Sequence, residues 1–385
     1  MAKIAIVHDY FTQQGGAERV AEQLYAMLPD SDIYSTVALP EMLPAGVPAE
    51  KMRTSWMQSL PKMEKYHRFY FAIYPLGVKS LDLSDYDVVI TSSSGYAKGV
   101  ETRPDAIHIC YCHTPMRWVW RYADYAEREQ FGARARAVLP VVLKALRAWD
   151  RNAARQPDQF VANSEVVAQR IESIYDRHAV VISPPIDVNR FHISARQEDY
   201  FLVLSRLVAY KRIDLAIAAC NLLGRRLMII GSGPDRPRLE AMAGPTVKFL
   251  GRLSDEQTQR YVSECQALLF PGEEDFGMVP LEVASAGRPT IAFRGGGATE
   301  TIVEGITGLF FDQADARSLA AAIEEFPLHH WSPSLLRNHA ARFDIQVFRN
   351  RFRQLLESIG VTLQPDEYAP AGNLADNVVA AEGRA

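Results

Sequence analysis

The chain has 385 residues, 48% of them hydrophobic and 23% charged, with 42 basic against 46 acidic side chains for a net charge of −4. That balance excludes disorder along the whole length and a general nucleic-acid binder held by surplus lysine and arginine, and the length suits two domains. Four cysteines, none in a C-x-x-C pair, exclude a disulfide scaffold, and no apolar run approaches the roughly eighteen residues of a membrane span.

In chain order, short Val- and Ile-rich runs alternate with longer amphipathic ones. Strands are predicted over Lys3–Val7, Ile33–Val37, Val88–Ser92, Ile107–Cys112 and Gln159–Ala162, with a helix over Ala17–Leu28 after the first. Ser183-Pro184-Pro185-Ile186-Asp187 then breaks the pattern, because two prolines suit neither a helix interior nor a central strand. It restarts with strands over Tyr200–Leu204, Arg226–Ile230, Val247–Phe249, Ala267–Phe270 and Pro289–Ala292, and helices over Ile213–Leu223, Ser254–Cys265 and Pro280–Ala286. Continuous apolar strands separated by helices are the mark of parallel sheets covered on both faces. The expected organisation is a first α/β domain over 1–183, a second over 184–342, a last helix over 343–360 packing back on the first domain, and a loosely ordered tail over 361–385. Both domains are expected to be Rossmann-like and doubly wound.

The most informative segment is PGEEDFGMVPLEVASAGRPTIAF, residues 271–293. Glu274 lies in the loop after a strand, and Glu282 falls in the first turn of a helix entered at Pro280, where a carboxylate suits the helix dipole and can accept two hydroxyls, as on a ribose. Its spacing, Glu274, seven residues, Glu282, with the intervening Phe276-Gly277 and Pro280, resembles the E-x7-E signature of retaining glycosyltransferase family 4. The resemblance implies the GT-B fold, two Rossmann-like domains facing a central cleft. It also implies that Glu274 approaches the donor sugar, with backbone amides around Phe276, Gly277, Met278 and Val279, while Glu282 holds the nucleotide ribose.

Other segments fit the same expectation. LSRLVAYKR, residues 204–212, places Arg206 beyond a strand and Lys211 at the next helix start, where two cations would neutralise a departing diphosphate. Gly15 and Gly16 of GGAERV, and Gly231 and Gly233 of GSGPDR, would let backbone approach the donor, although neither segment is a complete dinucleotide fingerprint. His113 in CYCHTPMRW follows a strand of the first domain; the stretch resembles one that in mannosyltransferase-like members carries a histidine near the sugar's primary hydroxyl, implying donor positioning and GDP-mannose as the donor. Asp9, Tyr10 and Arg117 are candidate acceptor contacts by position. No Asp-x-Asp pair or ligand cluster indicates a metal, and the resemblance implies none; no cofactor is expected beyond the nucleotide sugar as substrate.

Residues 1–180 hold 21 basic and 21 acidic residues, so the acidic surplus belongs to the remainder. Residues 51–80 combine Lys51, Arg53, Lys62, Lys65, Arg68 and Lys79 with Trp56, Tyr66, Phe69, Tyr70, Phe71 and Tyr74, and residues 133–155 interleave six arginines and lysines with leucines and Trp149. Such segments suit an anionic membrane surface, or simply two helices covering a sheet. The expectation is a cytoplasmic enzyme, peripheral on the inner face of the cell membrane, moving a hexose to a saccharide or polyprenyl-diphosphate-linked acceptor. A UDP-sugar donor, or a GT-B-like sugar-nucleotide epimerase, stays open as an alternative.

Overall fold

The computed structural model describes residues 2–44, 46–122 and 133–361. The side chains of Lys65, Arg68, Arg134 and Arg136, and the tail from residue 362 onward, lie outside the described residues.

Seven strands build the first sheet: β1 (Ile4–His8), β2 (Asp32–Ser35), β3 (Met52–Thr54), β4 (Val88–Ser93), β5 (Ile107–Cys112), β6 (Gln159–Ala162) and β7 (Ala179–Val181). Their order is β3-β2-β1-β4-β5-β6-β7, every neighbouring pair parallel, with Ile6 opposite both Ile33 and Ile90. The second sheet has β8 (Phe201–Leu204), β9 (Leu227–Ile230), β10 (Val247–Gly251), β11 (Leu268–Phe270), β12 (Thr290–Phe293) and β13 (Gly308–Phe311) in the order β10-β9-β8-β11-β12-β13, again parallel. Parallel strands need helical crossovers that bury both faces, and the central strands are accordingly mostly apolar and buried, with His8, Thr91, Ser92, Ser93 and His108 among the buried polar exceptions. Three strands escape the sequence reading: β3, β7 and β13. Each is an edge strand; β3 and β7 are three residues long and largely or partly exposed, whereas β13 is a buried run opened by Gly308.

The chain order reverses between β1 and β4 and between β8 and β11. Ligands of doubly wound sheets bind beyond the carboxyl ends of the strands at such a reversal. His8, Ser92 and Ser93 end one pair of strands, and Leu204 and Phe270 end the other.

The last helix, Ile345–Ser358, crosses back onto the first sheet. Phe348, Phe352 and Leu356 join the core of Ile6, Val20, Leu24 and Tyr111, and Arg349 donates to Gln23 Oε1 at 2.8 Å. Its return is tied to the proline-rich connection, since the Ile186 amide donates to the Phe343 carbonyl at 3.0 Å and the Ile345 amide to the Ile186 carbonyl at 3.1 Å.

A buried ion pair stiffens the first domain. Lys98 and Asp150, both inaccessible, meet between the 97–99 turn and the long helix Ala133–Ala153. Asp150 also accepts from Trp120 Nε1 and the Tyr175 hydroxyl, each at 2.6 Å. All four cysteines are free and buried.

The basic segments are only partly presented to solvent. Of the aromatics in 51–80, Trp56 and Phe69 are exposed and Tyr74 is buried. Lys79 pairs with Glu101 at 2.9 Å, while Arg147 and Arg151 lie over the Trp120 ring. Among the described residues, no helix is long and apolar enough to cross a membrane.

Candidate functional site

On the second domain, β8 leads through Ser205 and Arg206 into a short turn, Ala209–Lys211, and β11 leads into the acidic loop Glu273–Asp275. The two loops touch. A Cβ on Gly272 would sit 2.7 Å from the Lys211 Cα, so glycine is needed there for the approach. The result is an ion pair between Lys211 Nζ and Glu274 Oε1, both side chains mostly but not fully buried. Arg206 is exposed and donates to Gln13 Oε1 of the first domain, so this cation already reaches across the cleft.

The three successive acids diverge. Glu274 turns to Lys211, and its carbonyl accepts from the Gly297 amide at 2.8 Å. Glu273 takes two bonds from Arg121, at 2.6 and 3.3 Å, and one from Arg170 at 3.1 Å. Its carboxyl is held below the usual carboxylate range, first by the Arg121 hydrogen bond, against the opposing effect of burial. Asp275 pairs with Arg170, and with Arg117 Nη1 at 3.7 Å. All three arginines belong to the first domain. The helix Glu165–Tyr175, which carries Arg170, docks further through the Ser164 hydroxyl to the Asp275 carbonyl at 2.6 Å. Glu300 of the second domain meanwhile accepts from the Glu165 and Val166 amides at 2.8 and 3.0 Å, neutralising the exposed donors of that helix start.

Position in the sequence points Arg117 toward an acceptor. The structure sets it instead on the acidic loop, donating to the Glu273 carbonyl at 3.1 Å with its guanidinium over the Tyr210 ring. Arg121 and Arg170 carry no motif, and their partners lie more than a hundred residues away, so only the fold reveals them.

Glu282 is buried but not where the sequence puts it. The helix spans Met278–Ser285 because Gly277, at φ +94°, caps it in a left-handed conformation that other residues rarely adopt. That start moves Glu282 into the second turn, beyond the helix-start amides. Two arginines pair with it instead, Arg19 from the first helix Gly16–Met27 and Arg190 Nη1 at 3.3 Å. Of its neighbours, Phe276 packs its ring into the Ile186, Leu281 and Leu336 cluster and Val279 borders the second-sheet core, so their side chains are anchors and only backbone remains for a ligand. Met278 lies against the first helix.

The glycines answer chiefly to packing. A Cβ on Gly16 would stand 2.8 Å from Met278 Sδ, so Gly16 admits the other domain. Gly15 is extended at the helix start beside Glu18. Gly231, at φ +132°, and Gly233 lie against the carbonyls of Ser205 and Leu207, where a Cβ would come within 1.9 and 2.2 Å. They hold the Arg206 loop down on β9, which is a structural reason for glycine that the sequence reading assigned to the donor.

On the first domain, His113 follows β5 and is nearly buried. Its Nε2 lies 2.8 Å from the Ser92 hydroxyl, which lies 3.0 Å from His8 Nδ1, and His8 Nε2 faces Glu18 Oε1 at 3.9 Å. Burial, with His8 nearby, pushes the His113 ring down to about 3, so it is neutral at physiological pH. Asp9 is not available to an acceptor. It is inaccessible, and its carboxylate accepts from the amides of Ser94, Tyr96 and Ala97 at 2.6 to 2.8 Å and the Ser94 hydroxyl at 3.0 Å, fastening the loop after β4. Tyr10 packs edge-on against Tyr74 at 5.9 Å and remains partly exposed. Among the described residues, no group of three His, Cys, Asp or Glu side chains could hold a metal ion.

The chain is similar to known proteins. Residues 14–190 match the family described as Glycosyltransferase Family 4, and residues 187–338 match Glycosyl transferases group 1. The chain belongs to glycosyltransferase family 4. Its fold is GT-B. A D-inositol 3-phosphate glycosyltransferase from Nocardioides sp. is 25% identical over 260 residues, 52% of this chain and 56% of that protein. A GDP-mannose-dependent alpha-(1-6)-phosphatidylinositol monomannoside mannosyltransferase from Mycolicibacterium smegmatis is 28% identical over 219 residues, 49% of this chain and 56% of that protein. The chain thus spans about half the length of the curated relatives it matches. Among solved structures, Anabaena HepE in complex with UDP and glucose superposes with a TM-score of 0.67 at 17% identity, covering 93% of this chain and all of that one. In this family 4 chain, the acidic loop and the His113 segment adjoin, because Arg117 bonds the carbonyl of the residue before Glu274.

Proposed function

We propose that the protein is a retaining glycosyltransferase that moves mannose from GDP-mannose to a saccharide or polyprenyl-diphosphate-linked acceptor. The observation that carries this is the Lys211–Glu274 pair at the carboxyl ends of β8 and β11, brought beside the His113 segment by the Arg117 contact. The nucleotide would lie on the second domain with its ribose on Glu282, displacing part of the Arg19 and Arg190 contact. Its diphosphate would meet Arg206 and Lys211, whose charges count for more as the leaving group develops, without a metal ion. His113 would border the sugar. The acceptor hydroxyl attacks the anomeric carbon on the face the diphosphate leaves, and its proton passes to a donor phosphate oxygen as the glycosidic bond to phosphate breaks.

Support for the donor comes from the HTPMRW stretch and from the name of the Mycolicibacterium relative; the HepE complex supports a uridine nucleotide as the second reading. The deciding experiment measures GDP or UDP release from GDP-mannose, UDP-glucose and UDP-galactose across a panel of mannosides and polyprenyl-diphosphate saccharides. GDP release that requires an acceptor supports the proposal; turnover of a sugar nucleotide without acceptor to an isomeric sugar nucleotide supports an epimerase instead.

The acceptor side would rest on an anionic membrane. Trp56, Phe69, Leu76 and Val141 are exposed there, at 45 to 75%. Flotation with anionic vesicles at low salt tests it, and absence of binding removes the membrane from the proposal.

A further inference from the structure

The mechanism above uses His113 but not the three buried polar groups behind it. His8, Ser92 and Glu18 are 2%, 0% and 6% exposed, on β1, β4 and the first helix. Burying two imidazoles, a hydroxyl and a carboxylate costs free energy unless they satisfy one another. They form a line: His113 Nε2, Ser92 Oγ at 2.8 Å, His8 Nδ1 at 3.0 Å, then His8 Nε2 and Glu18 Oε1 at 3.9 Å. At the far end, Glu18 Oε2 is buried with no hydrogen-bond partner among the described residues.

We infer that the Glu18 carboxylate, facing His8 across 3.9 Å, sets the polarity of the His8–Ser92–His113 hydrogen-bonded line and so fixes the tautomer of His113, leaving its Nδ1 as the bare lone pair of the ring. A serine hydroxyl has one proton, so at most one of its two imidazole neighbours can accept from it, and once one does the other must donate. The carboxylate decides which. It can only accept, so His8 turns Nε2–H toward it; the alternative would set a lone pair against an anion that has no other donor on Oε2 among the described residues. His8 Nδ1 is then bare and accepts from Ser92. Ser92 Oγ in turn accepts from His113 Nε2–H, leaving His113 Nδ1 without a proton. The low basicity of the His113 ring keeps it in this neutral form. Glu18 lies in the first turn of its helix, which fixes its position beside His8. The inference rests on His113 bordering the donor sugar. It adds that the ring accepts a hydroxyl proton rather than donating one, and that Glu18, Ser92 and His8 are positioning residues acting through it.

The test uses the full chain with 15N-labelled histidine and long-range proton–nitrogen spectra of the rings at pH 8, above the ordinary imidazole pKa of about 6.5. His113 resonances are assigned by their loss in His113→Gln. The expected wild-type ring carries its proton on Nε2. Glu18→Gln, whose amide can both donate and accept, populates both tautomers. Ser92→Ala breaks the line, and turnover of GDP-mannose falls on the order of tenfold in kcat with KM nearly unchanged, the worth of one misplaced hydrogen bond. A wild-type ring protonated on Nδ1, or a Glu18→Gln spectrum identical to wild type, overturns this polarity, and the wild-type spectrum needs no variant to fold. Full turnover by His113→Gln would overturn the donor-site reading instead, while the ring spectra still decide the tautomer.

Discussion

Removing Arg170 is the most informative single perturbation of the domain contact. Arg170→Ala deletes the 3.1 Å bond to Glu273 and the pairing with Asp275, where the arginine side chain is 18% exposed and the carboxylates 32% and 20%. A hydrogen bond to a charged group contributes about 1.5–3 kcal/mol net, and partial exposure screens it toward the about 0–1 kcal/mol of a surface pair. Arg121 still holds Glu273, and Arg117 stays near Asp275, so the loss is limited to about 2 kcal/mol in all, or roughly 30-fold in the docking equilibrium. The amides of Glu165 and Val166 report it directly, because their acceptor, Glu300, lies on the other domain. Hydrogen exchange at these two amides should therefore accelerate by about 30-fold in Arg170→Ala, while amides within β4 and β5 keep their protection. Unchanged exchange at both amides would refute the idea that the arginines hold the domains together. The same amides give a pH dependence. Glu273 is depressed below its usual value of 4.5 mainly by Arg121, so its contribution is complete above that value and is lost as the pH falls through the lower, folded-state value. Protection in the wild type should accordingly approach that of Glu273→Gln only in acid.

Two further substitutions probe the framework. Lys98→Ala leaves the inaccessible Asp150 without its buried cation, with Trp120 and Tyr175 as its remaining donors among the described residues, and should lower the urea-unfolding stability by about 3–5 kcal/mol; a loss no larger than that of a surface lysine would contradict the buried pair. Gly231→Ala would place a Cβ 1.9 Å from the Ser205 carbonyl at a positive φ, and should cost more than about 2 kcal/mol in thermal unfolding while displacing the Arg206 loop; a neutral effect would show that the loop yields.

The centre of both sheets was legible because inner parallel strands must be apolar on both faces, which leaves short Val and Ile runs such as those of β1, β4 and β9. The edges were not, since β3 presents Arg53 and Thr54 to solvent and β7 exposes Val180. Glu274 and Lys211 stood out by spacing, and the fold joins them. Glu282 was found but set one turn early, because the Gly277 cap starts the helix at Met278, two residues before Pro280. Asp9 shows the limit of reading by position: a strand-end acid can equally fasten a loop, and only the three amides that reach it tell the difference. The clamp of Arg117, Arg121 and Arg170 has no local signal, because its partners come from the other domain.

The central claim, that the second domain holds a guanosine-diphosphate sugar between Lys211, Arg206 and the two glutamates, is tested most directly by thermal shift with GDP-mannose, UDP-glucose and ADP-glucose on the wild type and Lys211→Ala. Saturating GDP-mannose at about 100 times its Kd should add about 2.7 kcal/mol to the wild type, visible as a rise in Tm, and Lys211→Ala should lose most of it. A wild-type chain that responds to none of the three, or a Lys211→Ala chain that responds as fully as the wild type, would contradict the site.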